Sequence, residues 1–309
     1  MKASYHICFT SHGEAMFRDR EDHGMFINLM ALRAFSSETL LYADAEMSNH
    51  IHLNVFTSDP AAFGAALRAS YTKYFNRKYG RRGKFGEAGL FIMPVRGINH
   101  QIVLLNYILR NGLHHGASAS AQGYEWCSVR EPFAAELGWT APRDVIRDRG
   151  IMESYLPRHS SFPDSFIMDG NGVFLRSSFM EIRQVEQFYV SPRNYLFQMN
   201  RLTDASWEKE QEKDNTGKSI RLNDVEAGFG EQDIAAMLKN ESGRHFRPDR
   251  MQDLDVCRLI DTRLLGKYGL TSVYQLNPTQ RQEIFRLLYY EYRLPESQIR
   301  RCLVVPPEH

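Results

Sequence analysis

The stretch Ser48-Asn49-His50-Ile51-His52-Leu53-Asn54 contains two histidines separated by one apolar residue. Its alternation of polar and apolar residues predicts a β-strand. Side chains at i and i+2 of a strand share a face, so His50 and His52 point one way and the residues between them enter the core. Two neighbouring imidazoles favour a divalent-cation site, although a His-x-His pair by itself is not specific.

Short strands and helices alternate on both sides of this pair. Strands are predicted over 4–10, 39–47, 50–56 and 90–95, and helices over 19–34, 60–79 and 98–111. This order predicts an α+β fold, in which a small antiparallel sheet is covered by helices on one face. Gly112 is expected to end the last of these helices.

The last predicted helix carries a possible nucleophile. It places Tyr107 and Asn111 one turn apart on the same face. A tyrosine there can attack phosphorus to form a phosphotyrosine intermediate, and Asn111 can add an amide oxygen to the same cation. Two histidines with neutral oxygen donors suit Mg²⁺ or Mn²⁺, which keep positions open for a substrate phosphate. The alternative is that Tyr107 is a core or boundary residue.

A basic stretch lies between the histidine strand and the tyrosine helix. Residues 60–86 contain seven basic residues and no acidic residue. The basic residues are Arg68, Lys73, Arg77, Lys78, Arg81, Arg82 and Lys84, and Tyr71, Tyr74, Phe75, Tyr79 and Phe85 are interleaved with them. Cations with stackable rings suit single-stranded or hairpin nucleic acid. The alternative is a solvated helix face whose aromatic residues turn inward.

Composition limits the class of protein. The 309 residues carry a net charge of +1, so the overall charge is no evidence for a polyanionic partner. The four cysteines are scattered and predict reduced thiols rather than a metal site or disulfides. The N-terminus does not resemble a secretory leader, and no apolar run of about 18 residues predicts a membrane span. We therefore expect a cytoplasmic protein.

Together, the order and spacing of these motifs resemble the REP-associated tyrosine transposases, a family of single-tyrosine HUH endonucleases (HUH denotes His-hydrophobic-His). The resemblance covers about residues 5–130, and eight short segments carry it. They are Tyr5-His6-Ile7, Ser11-His12-Gly13, Phe17-Arg18-Asp19, Met47-Ser48-Asn49-His50-Ile51-His52-Leu53, Tyr71-Thr72-Lys73-Tyr74-Phe75-Asn76, Gly86-Glu87-Ala88-Gly89-Leu90-Phe91, Tyr107-Ile108-Leu109-Arg110-Asn111 and Tyr124-Glu125-Trp126-Cys127-Ser128.

The resemblance implies a ferredoxin-like sheet with both histidines on a central strand. It also implies an active site of His50, His52 and Tyr107, with Asn111 as a third ligand to Mg²⁺ or Mn²⁺, and a foldback or hairpin DNA substrate. Two departures put recognition of the hairpin and its flanks in doubt. Ser11-His12-Gly13-Glu14 replaces the usual Arg-Gly-Asn turn, and the usual Asn-Pro-basic continuation of the tyrosine helix is replaced after Asn111 by a segment containing His114 and His115. These two histidines either contact DNA or are exposed turn residues.

Three regions are expected. Residues 1–135 form the HUH nuclease domain, 136–250 form a connector and accessory region, and 251–309 form a mainly helical C-terminal region. Within the last region, residues 278–305 resemble the start of a helix-turn-helix, for which DNA reading and packing or dimerisation are competing roles. The protein is expected to be a monomer or a homodimer.

The functional hypothesis is metal-dependent cleavage and rejoining of single-stranded or hairpin DNA through a covalent 5′-phosphotyrosine, as in transposition. One alternative is a non-catalytic, domesticated transposase that binds DNA with the same surface. A second alternative is a metal-dependent hydrolase that uses an activated water, with Tyr107 structural.

Overall fold

The computed structural model of the protein describes residues 1–11, 13–86, 89–139, 144–200 and 250–305. Its N-terminal part consists of β1 (Ala3–Thr10), α1 (Arg20–Ser36), β2 (Leu40–Met47), β3 (His50–Thr57), α2 (Pro60–Tyr79), β4 (Phe91–Pro94), α3 (Gly97–Leu109) and α4 (Asn111–His114). The strands form one antiparallel sheet in the order β2-β3-β1-β4. This is the ferredoxin-like topology, and the histidine strand β3 lies inside the sheet.

Local signals determine where the helices begin. Asp19 caps α1 by accepting from the backbone N–H of Asp22, whose side chain accepts in return from the Asp19 backbone. Asp59 caps α2 by accepting from the backbone N–H of Ala62, and Pro60 occupies its first turn. Gly80, at φ 66°, ends α2 in the left-handed conformation that glycine adopts readily.

The two faces of the sheet are chemically different. One face carries Ile7, Ile51 and Leu53, which pack against α1 and α2 in an apolar core. The two helices that connect the strands therefore share one face, as predicted. The opposite face carries His6 and His52 and is covered by α3. The expected fold had helices on one face, so the cover that α3 provides is an addition to it.

Residues 144–200 pack against both sides of this unit. They contain β5 (Val145–Ile146), α5 (Arg149–Ser154), β6 (Met168–Asp169), α6 (Ile182–Tyr189) and α7 (Pro192–Met199). Met152 and Phe174 pack on Leu32 of α1. On the other side, the Tyr189 hydroxyl donates to Asn106 of α3 at 2.8 Å. The rest of the expected connector, 140–143 and 201–249, lies outside the described residues.

The C-terminal region is helical, as predicted. It contains α8 (Asp253–Leu259), α9 (Pro278–Tyr290) and α10 (Glu296–Leu303), which share their own apolar core. It is attached to the segment between β1 and α1 through Arg18, whose guanidinium donates to Asp261 at 2.7 Å and to the Cys302 carbonyl at 2.8 Å.

Two expectations from composition can be compared with the structure. The four cysteines are buried free thiols, as predicted. Among the described helices, none combines the length and apolar character that crossing a bilayer requires.

Candidate active site

The structure brings the four predicted site residues into one cluster on the face covered by α3. The Tyr107 hydroxyl lies 3.3 Å from Nε2 of His52. The ring centroids of His50 and His52 are 5.1 Å apart. Asn111, the first residue of α4, lies beside His50. All four side chains belong to residues that are at most 3% exposed.

A small residue on β2 and a group of hydrogen-bonded polar residues allow α3 to pack on the histidine face of the sheet. Ala45 of β2 lies opposite His52 in the strand register, and its small side chain leaves room for the helix. Near the start of α3, Gln101 is hydrogen-bonded to Asn54 of β3, and Ser4 of β1 donates to Gln101 at 2.7 Å. Polar side chains on both elements therefore fix the helix over the histidines.

Burial keeps the imidazoles of the cluster neutral. It lowers the pKa of His50 to about 3, with Arg301 adding to the effect and Asn111 opposing it. Burial also lowers the pKa of His52 well below its ordinary value, helped by His50 and His6. A neutral imidazole is the form that binds a metal.

Each of the two candidate histidine ligands has a hydrogen-bond partner at its Nδ1. The Nδ1 of His50 lies 2.9 Å from the amide oxygen of Asn49, which can only accept, so the His50 hydrogen is on Nδ1 and the lone pair on Nε2. The Nδ1 of His52 lies 3.0 Å from Nε2 of His6 on the neighbouring strand.

His6 is a site residue that sequence reasoning missed. Its signal was the alternation of Tyr5-His6-Ile7, which puts His6 on the face opposite to its apolar neighbours. That alternation does not reveal which residue of another strand lies nearby. The β1–β3 register decides it by pairing His6 with Asn54 and Cys8 with His52, so that His6 and His52 are diagonal neighbours.

The cluster can be tested for its fit to a cation. The Asn111 amide is fully buried and interacts with the imidazole of His50. An amide oxygen beside neutral imidazoles can join them in ligating a divalent cation. Among the described residues, no group of three or more His, Cys, Asp or Glu side chains is arranged to hold a metal ion. The donor set that fits is therefore mixed, with two imidazoles and one amide.

The segment after α3 differs from the prediction that Gly112 ends the helix. Helix α3 ends at Leu109, and Gly112 lies inside α4. A Cβ at Gly112 would meet the ring of Tyr124 at 2.3 Å, so the glycine is needed for close packing. The two histidines that follow are half-buried, with His115 5.0 Å from the His50 ring and His114 6.1 Å from the Tyr107 ring. They border the cluster rather than extend into solvent.

A cavity of about 880 Å³ leads to the cluster from one side. Its lining includes His50 and Trp126 and, from the C-terminal region, Asp253 and Arg301. Tyr107, His52 and Asn111 are not among its lining residues. The described structure therefore exposes one candidate ligand to the cavity and keeps the phenol covered.

The basic stretch lies on α2 and the following loop, across the sheet from the cluster. Its aromatic residues Tyr71, Phe75 and Phe85 are fully buried in the core, so the inward-turned alternative holds for them. Lys78 is ion-paired with Asp19, Glu21 and Asp22, and Arg81 with Glu14. Arg68 is half-buried. The exposed members of the stretch are Lys73, Arg77, Arg82 and Lys84.

No family model and no curated protein sequence matches the chain. Among solved structures, similarity is found to a REP-associated tyrosine transposase bound to a REP hairpin. The two chains are 11% identical, the match covers 46% of this chain and 87% of that one, and the TM-score is 0.39.

Proposed function

We propose that the protein cleaves and rejoins single-stranded or hairpin DNA, with Tyr107 as the nucleophile. The observation that carries this proposal is the 3.3 Å separation between the Tyr107 hydroxyl and His52, in a cluster with His50 and Asn111. A phenol beside two neutral imidazoles has the composition required for metal-assisted attack on a phosphodiester.

The proposed reaction conserves the phosphoester. The Tyr107 oxygen forms a bond to phosphorus and loses its proton, while the bond from phosphorus to the 3′ oxygen breaks and that oxygen gains a proton. The upstream strand leaves with a 3′-hydroxyl, and the downstream strand stays attached as a 5′-phosphotyrosine. A 3′-hydroxyl from another strand can reverse the step and exchange strands without an external energy source.

The surrounding residues have separate roles in the proposal. His50, His52 and Asn111 would hold one Mg²⁺ or Mn²⁺, and when bound it would polarise the scissile phosphate and offset its developing charge. Imidazole donors favour Mn²⁺ over Mg²⁺. The exposed cations Lys73, Arg77, Arg82 and Lys84 would bind the DNA backbone. Because they lie across the sheet, they would contact a part of the DNA away from the scissile phosphate.

The test is a search for a covalent protein–DNA adduct. Hairpin oligonucleotides with randomised single-stranded flanks and a 3′-end label are incubated with the protein and Mn²⁺, then separated on a denaturing gel. A 5′-phosphotyrosine leaves the label on the 35.8 kDa chain. We expect the adduct to form with the wild type and to be lost in Tyr107→Phe and in the presence of a chelator.

Tyr42→Phe is the matched control, since Tyr42 lies in the same apolar cluster as Tyr107 on the α3 side of the sheet. This variant should form the adduct normally. If Tyr107→Phe forms as much adduct as the wild type, Tyr107 is not the nucleophile. If the DNA is cut without any adduct, the reaction is hydrolysis by an activated water.

The burial of the cluster favours a second candidate function, a DNA-binding protein without nuclease activity. Tyr107 is 3% exposed and does not line the cavity, so its hydroxyl is covered in this conformation. Binding of the hairpin pool in Mn²⁺, with neither cleavage nor adduct, would support this alternative.

A further inference from the structure

We propose that His6 is a positioning residue that orients the His52 ring and accepts its Nδ1 hydrogen when His52 binds a cation through Nε2. This inference rests on the proposed function, because it assigns His6 a role toward the same cation. It starts from the 3.0 Å contact between Nε2 of His6 and Nδ1 of His52, two residues with no solvent exposure.

The His6 ring is held firmly in place by its surroundings. It lies 5.2 Å from the His52 ring with the two planes 24° apart. The rings of Phe91 and Tyr107 meet it edge-on at 5.4 and 6.4 Å. A ring packed on several sides on adjacent antiparallel strands has little freedom to turn its Nε2 away from His52.

The arrangement matches the one around His50. A histidine that gives Nε2 to a metal carries its hydrogen on Nδ1, and that hydrogen needs an acceptor. For His50 the acceptor is the amide oxygen of Asn49, at 2.9 Å. His6 occupies the equivalent place beside His52, so both candidate ligands have an orienting partner on the side away from the cation.

The buried second nitrogen of His6 adds a specific consequence. Nδ1 of His6 has no hydrogen-bond partner among the described residues. Without a cation, the His6 hydrogen is therefore best placed on Nε2, where it is donated to Nδ1 of His52, and His52 carries its own hydrogen on Nε2. When His52 binds a cation through Nε2, the His52 hydrogen must be on Nδ1, where it is donated to Nε2 of His6. The hydrogen of His6 must then be on its own Nδ1. Both rings change tautomer, and no proton is released by the pair.

Two variants separate this role from simple packing. His6→Phe keeps a buried ring but removes the acceptor, and His6→Gln restores a polar group that can accept. Mn²⁺ binding is measured by electron paramagnetic resonance on protein without DNA. We expect His6→Phe to lose about 10- to 100-fold in Mn²⁺ affinity, as is typical when an outer-shell partner is removed. His6→Gln should recover most of that loss, and urea unfolding checks that each variant is folded.

The tautomer change is read on the wild type by ¹⁵N resonances of the histidine rings, with and without the diamagnetic Mg²⁺. We expect His6 and His52 to change tautomer together. The inference is overturned if His6→Phe binds Mn²⁺ as tightly as the wild type, if the metal binds while both rings keep their tautomers, or if the wild type binds no metal. Normal metal binding with the expected His6 effect but no DNA adduct would instead refute only the proposed role of Tyr107.

Discussion

The attachment of the C-terminal helices through Arg18 leads to the sharpest quantitative prediction. The Arg18 guanidinium is fully buried and donates to Asp261 at 2.8 and 2.7 Å and to the Cys302 carbonyl at 2.8 Å. Arg18→Met keeps much of the volume but leaves a carboxylate and a carbonyl without their donors. Removing one partner of a buried ion pair costs about 3–5 kcal/mol. Because the Asp261 side chain is 21% exposed and can regain some hydration, we expect about 3 kcal/mol.

Urea unfolding followed by circular dichroism measures this loss. Arg149→Met is the control, since Arg149 pairs with Glu153 and Asp164 at the surface and its loss should change the free energy of unfolding by less than about 1 kcal/mol. The double variant Arg18→Met with Asp261→Leu should recover part of the stability, because no unpaired charge remains. A loss below about 1 kcal/mol in Arg18→Met would show that the ion pair contributes little to the docking.

Three further predictions concern titration, packing and DNA binding. Burial lowers the pKa of His6 from 6.5 to about 3. Between these pH values the unfolded chain therefore binds one more proton at His6 than the folded chain does. The stability that the neutral, buried His6 contributes is present above pH 6.5 and is lost as the pH falls. In urea unfolding from pH 6.5 to 5, the free energy of unfolding of His6→Phe should therefore fall by about 1 kcal/mol less per pH unit than that of the wild type, because the unfolded His6 is half protonated at pH 6.5 and almost fully protonated at pH 5. Equal slopes would contradict the shift. Gly112→Ala should lower the free energy of unfolding by about 1–3 kcal/mol, because its methyl group would overlap the Tyr124 ring, whereas Gly266→Ala, with open space around it, should be close to neutral. In fluorescence-anisotropy titrations with single-stranded DNA, Lys73→Gln and Arg77→Gln should each lower the slope of log K against log salt by about 0.7 at unchanged stability. Lys78→Gln should instead destabilise the fold, because the Lys78 ammonium neutralises Asp19 and Asp22, and a loss of DNA binding at full stability would contradict its internal role.

Much of the sheet could be predicted because its signals are local. The alternation around His50 and His52 identified β3, and the Asp59-Pro60 start identified α2, since both depend on residues close in the chain. The central position of β3 came from the order of motifs resembling a known family. The proximity of Tyr107 to the histidines was inferred in the same way, and the 3.3 Å contact with His52 agrees with it.

Other features depend on contacts between distant segments. The aromatic residues of α2 alternate with cations in a way that suits stacking on bases, but they complete the core beneath the sheet. Gly112 has the position of a helix stop, yet its smallness is needed by the Tyr124 ring. The wall that the C-terminal region contributes to the cavity involves residues 200 or more positions away from His50, beyond the reach of any periodic pattern.

The chain by itself thus determined the alternating strands, the capped helices and the identity of the candidate ligands, because periodicity and capping act over a few residues. Only the tertiary structure decided that His6 lies beside His52, that α3 covers the histidine face, and which cations remain exposed. The physical reason is that strand register and side-chain packing are collective properties, which set the neighbours of a residue by the fit of whole elements rather than by adjacent sequence.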